Sequence, residues 1–207
     1  MEKVLEVYRR PYNPLYPVIC MDESPKQLIE ETKIPIAAKI GSLEKHDYEY
    51  KRNGVCNIFI ATEPLQGKRK VKVTERKTRI DWALFIEEVA ELYPDAIKIT
   101  LVMDNFEVHK AGAFYEAFPP EKAKALWDRF EFIFTPKHGS WLNMAEIELN
   151  VLMAQCLNRR IPSMDEVIKE VKAWEEHRNN KDSKINWQFA TDDARTRLKR
   201  LYPTFDE

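Results

Sequence analysis

Apolar residues along the chain fall into short runs that end in charge. Tyr16–Met21 is followed by Asp22, Glu23 and Ser24, and Ile97–Met103 is followed by Asp104 and Asn105. Apolar runs of this length, bounded by polar turn residues, predict buried strands, and each of these presents an acid at its carboxyl end. Phe130–Phe134 predicts another strand. Val55–Ala61 and Lys70–Thr74 are separated by Glu63–Gly67, a Pro/Gly turn signal that predicts a hairpin. Val71 and Val73 alternate with Lys70, Lys72 and Thr74, so one face of that strand is wet.

The helical signals lie between and after these strands. Residues 2 to 10 predict a short helix ended by Pro11 and Pro14. Thr78 with Asp81 forms a capping-box pattern, opening a helix with the stripe Ile80, Ala83, Leu84, Val89 and Ala90 that runs to about Tyr93. Further helices are predicted around residues 121 to 128, from about Ser140 to Cys156, after Ser163 with Val167, Ile168, Val171 and Trp174, and around Asp192 to Leu201. Residues 25 to 51 are mixed and charged, with Pro35 and Gly41 as breakers, and predict an irregular or partly hairpin excursion. The order is that of a single α/β domain without internal repeats, with two acids at the sheet edge where such folds build their sites.

Composition sets bounds on this picture. A chain of 207 residues with 44% hydrophobic residues has enough apolar side chains for a full core. Its 33 Lys and Arg nearly cancel 34 Asp and Glu, leaving a net charge of -1, so total charge does not argue for nucleic acid. The distribution is more suggestive: Lys68, Arg69, Lys70 and Lys72, then Arg76, Lys77 and Arg79, Arg159 and Arg160, and Arg195, Arg197, Lys199 and Arg200 are clustered. Such clusters suit phosphate contacts, although most charge runs are solvated faces. Cys20, Cys56 and Cys156 sit far apart in apolar runs and are expected to be buried thiols in a reducing compartment. The first residues carry charge throughout and no window approaches 18 apolar residues, so a soluble, cytoplasmic protein is expected.

In the helix after residue 140, Leu142, Ala145, Leu149, Leu152, Met153 and Cys156 share an arc of roughly 100°. Glu146 and Glu148 lie at opposite borders of it, about 160° apart, so only one of them can face a given site. Ile147 points away from the arc and is a candidate for an intersubunit or DNA-contact surface. Asp22, Asp104 and one helical glutamate would place three carboxylates around a point, an arrangement that calls for a divalent cation. An all-oxygen set selects Mg²⁺ or Mn²⁺, and a pair of such ions supports in-line phosphoryl transfer. Singly, each acid is more often structural: strand-end Asp bonds to turns, and helical Glu is usually solvated.

Val18–Glu23, Leu101–Lys110 and Thr135–Glu146 resemble the corresponding segments of the DDE endonuclease domain of mariner-like insertion-sequence transposases, a resemblance that covers residues 15 to 203. It rests most on Met103-Asp104-Asn105 followed by His109-Lys110, and on Ser140-Trp141-Leu142-Asn143 followed by Glu146. The resemblance implies an RNase H-like fold, a mixed central sheet flanked by helices, and Asp22, Asp104 and Glu146 as catalytic, metal-binding acids. It implies two divalent ions, cleavage and strand transfer at the ends of a mobile element in double-stranded DNA, and a homodimer. His109, Lys110, His138, Ser140, Trp141 and Asn143 become candidates for contacts to DNA or for support of the site. For the two histidines turn capping is an equal alternative, and for Trp141 core packing is preferred.

Two features depart from the family pattern. Only residues 1 to 14 precede the first catalytic strand, where relatives carry a helix-turn-helix region, so 1 to 14 is expected to be a linker or remnant and 15 to 207 the catalytic domain. Glu146 also follows Asp104 by 42 positions (146 − 104), longer than in many relatives, with the extra length in the helical stretch around Ala111 to Arg129. Competing readings are an RNase H-like nuclease without strand transfer and a catalytically silent DNA-binding or assembly module. An aspartyl-phosphate phosphatase is disfavoured, because the second Asp it needs two positions on is Ser24.

Overall fold

The computed structural model describes residues 1–104, 109–137 and 139–202. A five-stranded sheet is built from β1 (Val18–Glu31), β2 (Tyr50–Glu63), β3 (Lys68–Thr74), β4 (Ile99–Met103) and β5 (Phe130–Phe134). Its spatial order is β3-β2-β1-β4-β5. The first three strands form an antiparallel meander, whereas β4 runs parallel to β1 and β5 parallel to β4. The parallel pairs are joined by crossover helices, as parallel pairing requires.

Alternation along the strands creates two cores. Cys20, Ile58, Ile60, Val71, Val102 and Ile133 face one side, packed by α1 (Glu2–Tyr8), α5 (Ala145–Leu152) and α6 (Met164–Asn180). Ile19, Met21, Phe59, Leu101 and Met103 face the other, under α2 (Arg79–Glu91), α3 (Ala111–Ala117) and α4 (Pro120–Asp128). A last helix, α7 (Thr191–Arg197), adds Ala194 to the first core. In the stretch 1 to 14, α1 buries Val4, Leu5 and Val7 in that same core. Among the described residues, no helix is long and apolar enough to cross a membrane.

Several expectations are corrected. The first strand does not end at Asp22 but continues to Glu31, because its antiparallel partner β2 runs alongside it that far. The Thr78–Asp81 capping box is present, yet the buried face of α2 is Trp82, Ala83, Phe85, Ile86, Val89 and Ala90, leaving Ile80 and Leu84 largely exposed. The larger aromatic surface goes to the sheet, where its burial is worth most. The helix expected over residues 140 to 156 is a 3-10 turn (Ser140–Leu142), then α5, then a π-helical turn (Met153–Leu157). Cys156 is only half-buried, while Cys20 and Cys56 are buried and all three are free thiols.

The β1–β2 hairpin extends past the core as an arm. At Asn53-Gly54 an extra residue on β2 opposes Leu28, and Gly54 takes φ 94°, a bulge geometry that glycine adopts without steric cost. The arm between the strands, residues 32 to 49, carries only isolated bridges, Ile36 with Lys45 and Lys39 with Ser42. Its base is pinned by Arg160 to Glu31 at 2.6 Å and by Lys33 to Asp47 at 2.9 Å. Ile34, Ile40, Leu43 and Tyr48 are left almost fully exposed.

Glu148 resolves the helical ambiguity in an unexpected way. Its side chain is 1% exposed and meets the fully buried Arg69 of β3 at 3.1 Å and Arg178 of α6 at 2.8 Å. The cluster ties β3, α5 and α6 together. Removing one partner of a buried ion pair leaves an uncompensated charge, at about 3–5 kcal/mol. Glu148→Ala is therefore expected to lower the urea midpoint by that much stability with an unchanged m-value, read by equilibrium denaturation; a loss below ~1 kcal/mol would mean the arginines find other compensation.

Candidate active site

Parallel pairing of β1 with β4 covers Val18 with Thr100, Ile19 with Leu101 and Cys20 with Val102, then stops. The same offset brings Asp104, just beyond β4, level with Asp22. Asp22 lies one alternation beyond Cys20 and so belongs to the face on which α5 packs. Glu146 sits in the first turn of α5.

The start of α5 is fixed by side chains. Buried Asn143 donates from Nδ2 to the Met21 carbonyl at 2.8 Å, and its Oδ1 accepts from the Ala145 backbone N–H at 3.2 Å. The Tyr8 hydroxyl donates to the Leu142 carbonyl at 2.7 Å and accepts from the Met144 N–H at 3.4 Å. Asn143 therefore joins the strand residue before Asp22 to the turn before Glu146.

The electrostatics agree with a gathering of acids. Burial pushes the Asp22 carboxyl up to about 7, its hydrogen bond from the Glu23 N–H at 2.8 Å opposes this, and the charges of Glu23, Asp104 and Glu146 raise it further. Asp22, Asp104 and Glu146 thus share one neighbourhood. They do not form the tightest group of ligands, however. Among the described residues, the acids and imidazole whose ligand atoms fall within 4.8 Å of one another are Glu23, Asp104 and His109.

His109 lies on the other side of Asp104, 1% exposed, its ring 5.2 Å from that of Trp82. Its Nδ1 is 3.0 Å from Asp104 Oδ1, and its Nε2 is 3.5 Å from Glu23 Oε2. Burial disfavours the charged ring, but hydrogen bonding and charge from Asp104 and Glu23 outweigh it and raise the imidazole to about 9. Glu23 and Trp82 were not among the sequence candidates. The signal for Glu23 was present: it continues the inward row Ile19, Met21, where an apolar residue would be expected.

The remaining candidates lie at the surface or outside the described residues. Lys110 is exposed and stands at the N-cap of α3. Ser140 is exposed, and its carbonyl accepts from the Asn143 N–H at 2.6 Å. Trp141 is 44% exposed with its ring edge-on to Phe189, so it is not the core anchor that was preferred. Ile147 is exposed as expected. His138, like Asn105, lies outside the described residues.

The basic clusters are largely neutralised within the chain. Arg69 is buried against Glu148, which removes it from any phosphate-binding surface. Lys70 and Lys72 flank Glu88, Arg79 meets Glu116, Arg159 meets Glu170, Arg160 meets Glu31 and Arg195 meets Glu2. A phosphate at these exposed pairs would have to displace a carboxylate, though such pairs are individually weak.

The chain is similar in structure to the Mos1 strand transfer complex, with TM-score 0.57 and 15% identity over 87% of this chain and 55% of that one. It is similar to the Mos1 mariner paired end complex with Mn, with TM-score 0.58 and 14% identity over 88% and 54%. A pre-cleavage Mos1 transpososome gives TM-score 0.56 and 14% identity over 90% and 61%. The chain therefore spans little more than half the length of these solved chains, and the likeness is one of fold, the mixed sheet flanked by helices of the RNase H-like class. No curated protein sequence matches. The family description DDE superfamily endonuclease matches residues 17–168, from the start of β1 into α6 and across all three acids, and the chain belongs to that family.

Proposed function

We propose that the chain is the catalytic domain of a transposase, which cuts double-stranded DNA and joins a 3'-hydroxyl to target DNA with Asp22, Asp104 and Glu146 as its metal-binding acids. The observation that carries this reading is the convergence of acids on half-buried Asp22 at the end of the β1–β4 pairing, with Glu23, Asp104 and Glu146 near enough for their charges to act on it. The same observation tests the fit to a cation. Oxygen donors concentrated at a partly dry point repel one another and suit a hard divalent ion such as Mg²⁺ or Mn²⁺. When bound, two such ions would activate the attacking water or 3'-hydroxyl and stabilise the leaving oxygen.

The chain's own residues prepare this chemistry. The β1–β4 register sets Asp22 beside Asp104, and Asn143 holds the start of α5 against β1 so that Glu146 approaches from the helix side. The carboxylates are thus set on a rigid sheet edge and a pinned helix before DNA arrives, which limits the reorganisation left to the reaction. Support for DNA as substrate comes from family membership and from the likeness to strand transfer and paired end complexes. A homodimer is supported by the arm over residues 32 to 49, which leaves several large apolar side chains in water at its tip.

Three outcomes test this reading. With labelled duplex, and with a 3'-hydroxyl end plus plasmid target, Mg²⁺ or Mn²⁺ should support cutting and joining that chelator abolishes. Asp22→Asn, Asp104→Asn and Glu146→Gln should each lower the rate by more than ~100-fold, beyond the 10–100-fold usual for residues that only support a ligand. Cutting without joined product would select a simple nuclease, and activity that survives all three substitutions would sink the three-acid mechanism.

Stability gives a readout independent of DNA. Unfolded Asp22 loses its proton near the ordinary value of 3.8, whereas the folded group keeps it until about 7. The folded state therefore binds more protons between these values, and stability falls as pH rises through that window. In chelator, Asp22→Asn should raise the melting midpoint at pH 8 by at least the about 2–4 °C that ~1 kcal/mol produces in a domain of this size, and leave it unchanged at pH 3.5. A destabilised variant at pH 8 would contradict the electrostatic account. For assembly, Ile40→Asp with Leu43→Asp should convert a dimer to a monomer in analytical ultracentrifugation without lowering the melting midpoint; an unaltered dimer would place the interface elsewhere.

A further inference from the structure

Asp22 and Glu23 are neighbours in β1 and therefore point to opposite faces of the sheet. Asp22 faces α5, whereas Glu23 extends the row of Ile19 and Met21 beneath α2. Its side chain is only 5% exposed, an unusual place for a carboxylate unless the group is engaged. The engagement is with His109, whose Nε2 lies 3.5 Å away and whose Nδ1 faces Asp104 Oδ1 at 3.0 Å. Trp82 lies against the imidazole face with planes 33° apart, and Lys77 approaches the far side of Glu23 at 3.9 Å.

We propose that Glu23 is a positioning residue that acts through His109: it orients the imidazole so that Nδ1–H holds one oxygen of Asp104 and leaves the rest of that carboxylate directed to the metal site. This rests on the reading of Asp104 as a metal ligand. The same three groups offer ligand atoms within 4.8 Å of one another, and an ion's cage built from them is the alternative that the Asp22 variant below separates. The two ring nitrogens point in different directions, each towards a different acid. A histidine linking a ligand carboxylate to a second carboxylate instead has the form of an outer-shell orienting group, which fixes the ligand and tunes its basicity.

The arrangement also gives a reason for two buried polar groups at the edge of an apolar core. A Glu and a His so placed lose hydration, and their charge pairing with each other and with Asp104, at 3.5 and 3.0 Å, offsets part of that loss. Asp104 is 39% exposed and follows the last residue of β4, so the sheet alone does not fix its rotamer. The contact from His109 supplies that constraint from behind.

The test is Mn²⁺ binding by the full chain without DNA, read from the electron paramagnetic resonance signal of free Mn²⁺, alongside the Mn²⁺ dependence of duplex cleavage. Glu23→Gln is expected to weaken Mn²⁺ binding about 10–100-fold and to raise the half-maximal Mn²⁺ for cleavage in parallel, with saturating Mn²⁺ restoring the rate. His109→Asn, whose amide can still donate towards Asp104, should bind Mn²⁺ more tightly than His109→Ala, and adding Glu23→Gln to His109→Ala should cost little more, because the two act as one unit. Should Glu23→Gln fail to fold by circular dichroism, the ranking of the two His109 variants decides.

Wild-type Mn²⁺ affinity in folded Glu23→Gln, or equal affinity in the two His109 variants, overturns the proposal. If wild type binds Mn²⁺ and loses it in Asp22→Asn but not in Glu23→Gln, this inference fails while the metal-site reading stands. Binding lost in Glu23→Gln but untouched in Asp22→Asn would make the Glu23, Asp104 and His109 group the ion's site, and absence of Mn²⁺ binding by wild type would overturn both.

Discussion

The parallel pairing between β1 and β4 governs the rest of the site, because it is short and ends abruptly. Three residue pairs hold the strands together, and beyond Cys20 and Val102 the ladder opens while β1 continues along its other edge with β2. An acid on β1 just past that point is held by β2 on one side and has no β4 partner on the other. An acid just past the end of β4 lies level with it on the neighbouring backbone. Sheet register, the most rigid coordinate available to the chain, thereby brings the backbones of two mutually repelling acids level, while the rotamer of Asp104 is left to its neighbours. Nothing in those side chains themselves favours their proximity, so the stability has to come from the two apolar cores on either face.

The second constraint is the attachment of α5. A helix supported only by an apolar arc can slide or rotate by a fraction of a turn at small cost, and Glu146 at the border of that arc would move with it. Asn143 and Tyr8 remove this freedom at the amino-terminal end by bonding the turn to β1 and α1. At the other border, Glu148 is locked by Arg69 and Arg178. The two glutamates that looked equivalent by periodicity therefore divide the work: one is fixed deep in the protein so that the helix cannot rotate, and the other remains half-buried near the acids.

What the sequence made legible follows from the range of the forces involved. The core of Ile97–Met103 is a run buried along its whole length, and Phe130–Phe134 is a short aromatic run with the length of a strand, and both are strands as expected. The capping box at Thr78 is local and was readable for the same reason. The continuation of β1 past Asp22 was not, because Asp22–Glu31 is polar and is held in extended form by β2, a partner whose register no local pattern reveals. The inward face of α2 was misassigned because Ile80 and Leu84 compete with Trp82 and Phe85 on hydrophobicity alone, and only the sheet decides between them. Arg69 read as part of a basic cluster because its partner Glu148 lies 79 positions away (148 − 69). The candidate acids were recognisable through motif resemblance, whereas Trp82 becomes visible only once His109 is placed against it, and Glu23 was marked only by its place in the inward row of Ile19 and Met21.

The candidate acids have to be both open to a substrate and ordered. Asp104 is the most open of the residues in its cluster and lies at a strand terminus, where backbone order ends. A hydrogen bond from solvent would not hold its carboxylate, and a direct contact to Asp22 would be repulsive. A buried histidine is suited to the task, since its ring has two opposed polar atoms and can be clamped on its face by an indole and on its far edge by a carboxylate. The chain thus has one acid on each face of the same strand, Asp22 towards the helix bearing Glu146 and Glu23 towards the histidine, and the alternation of β1 couples the order of the site to both cores at once.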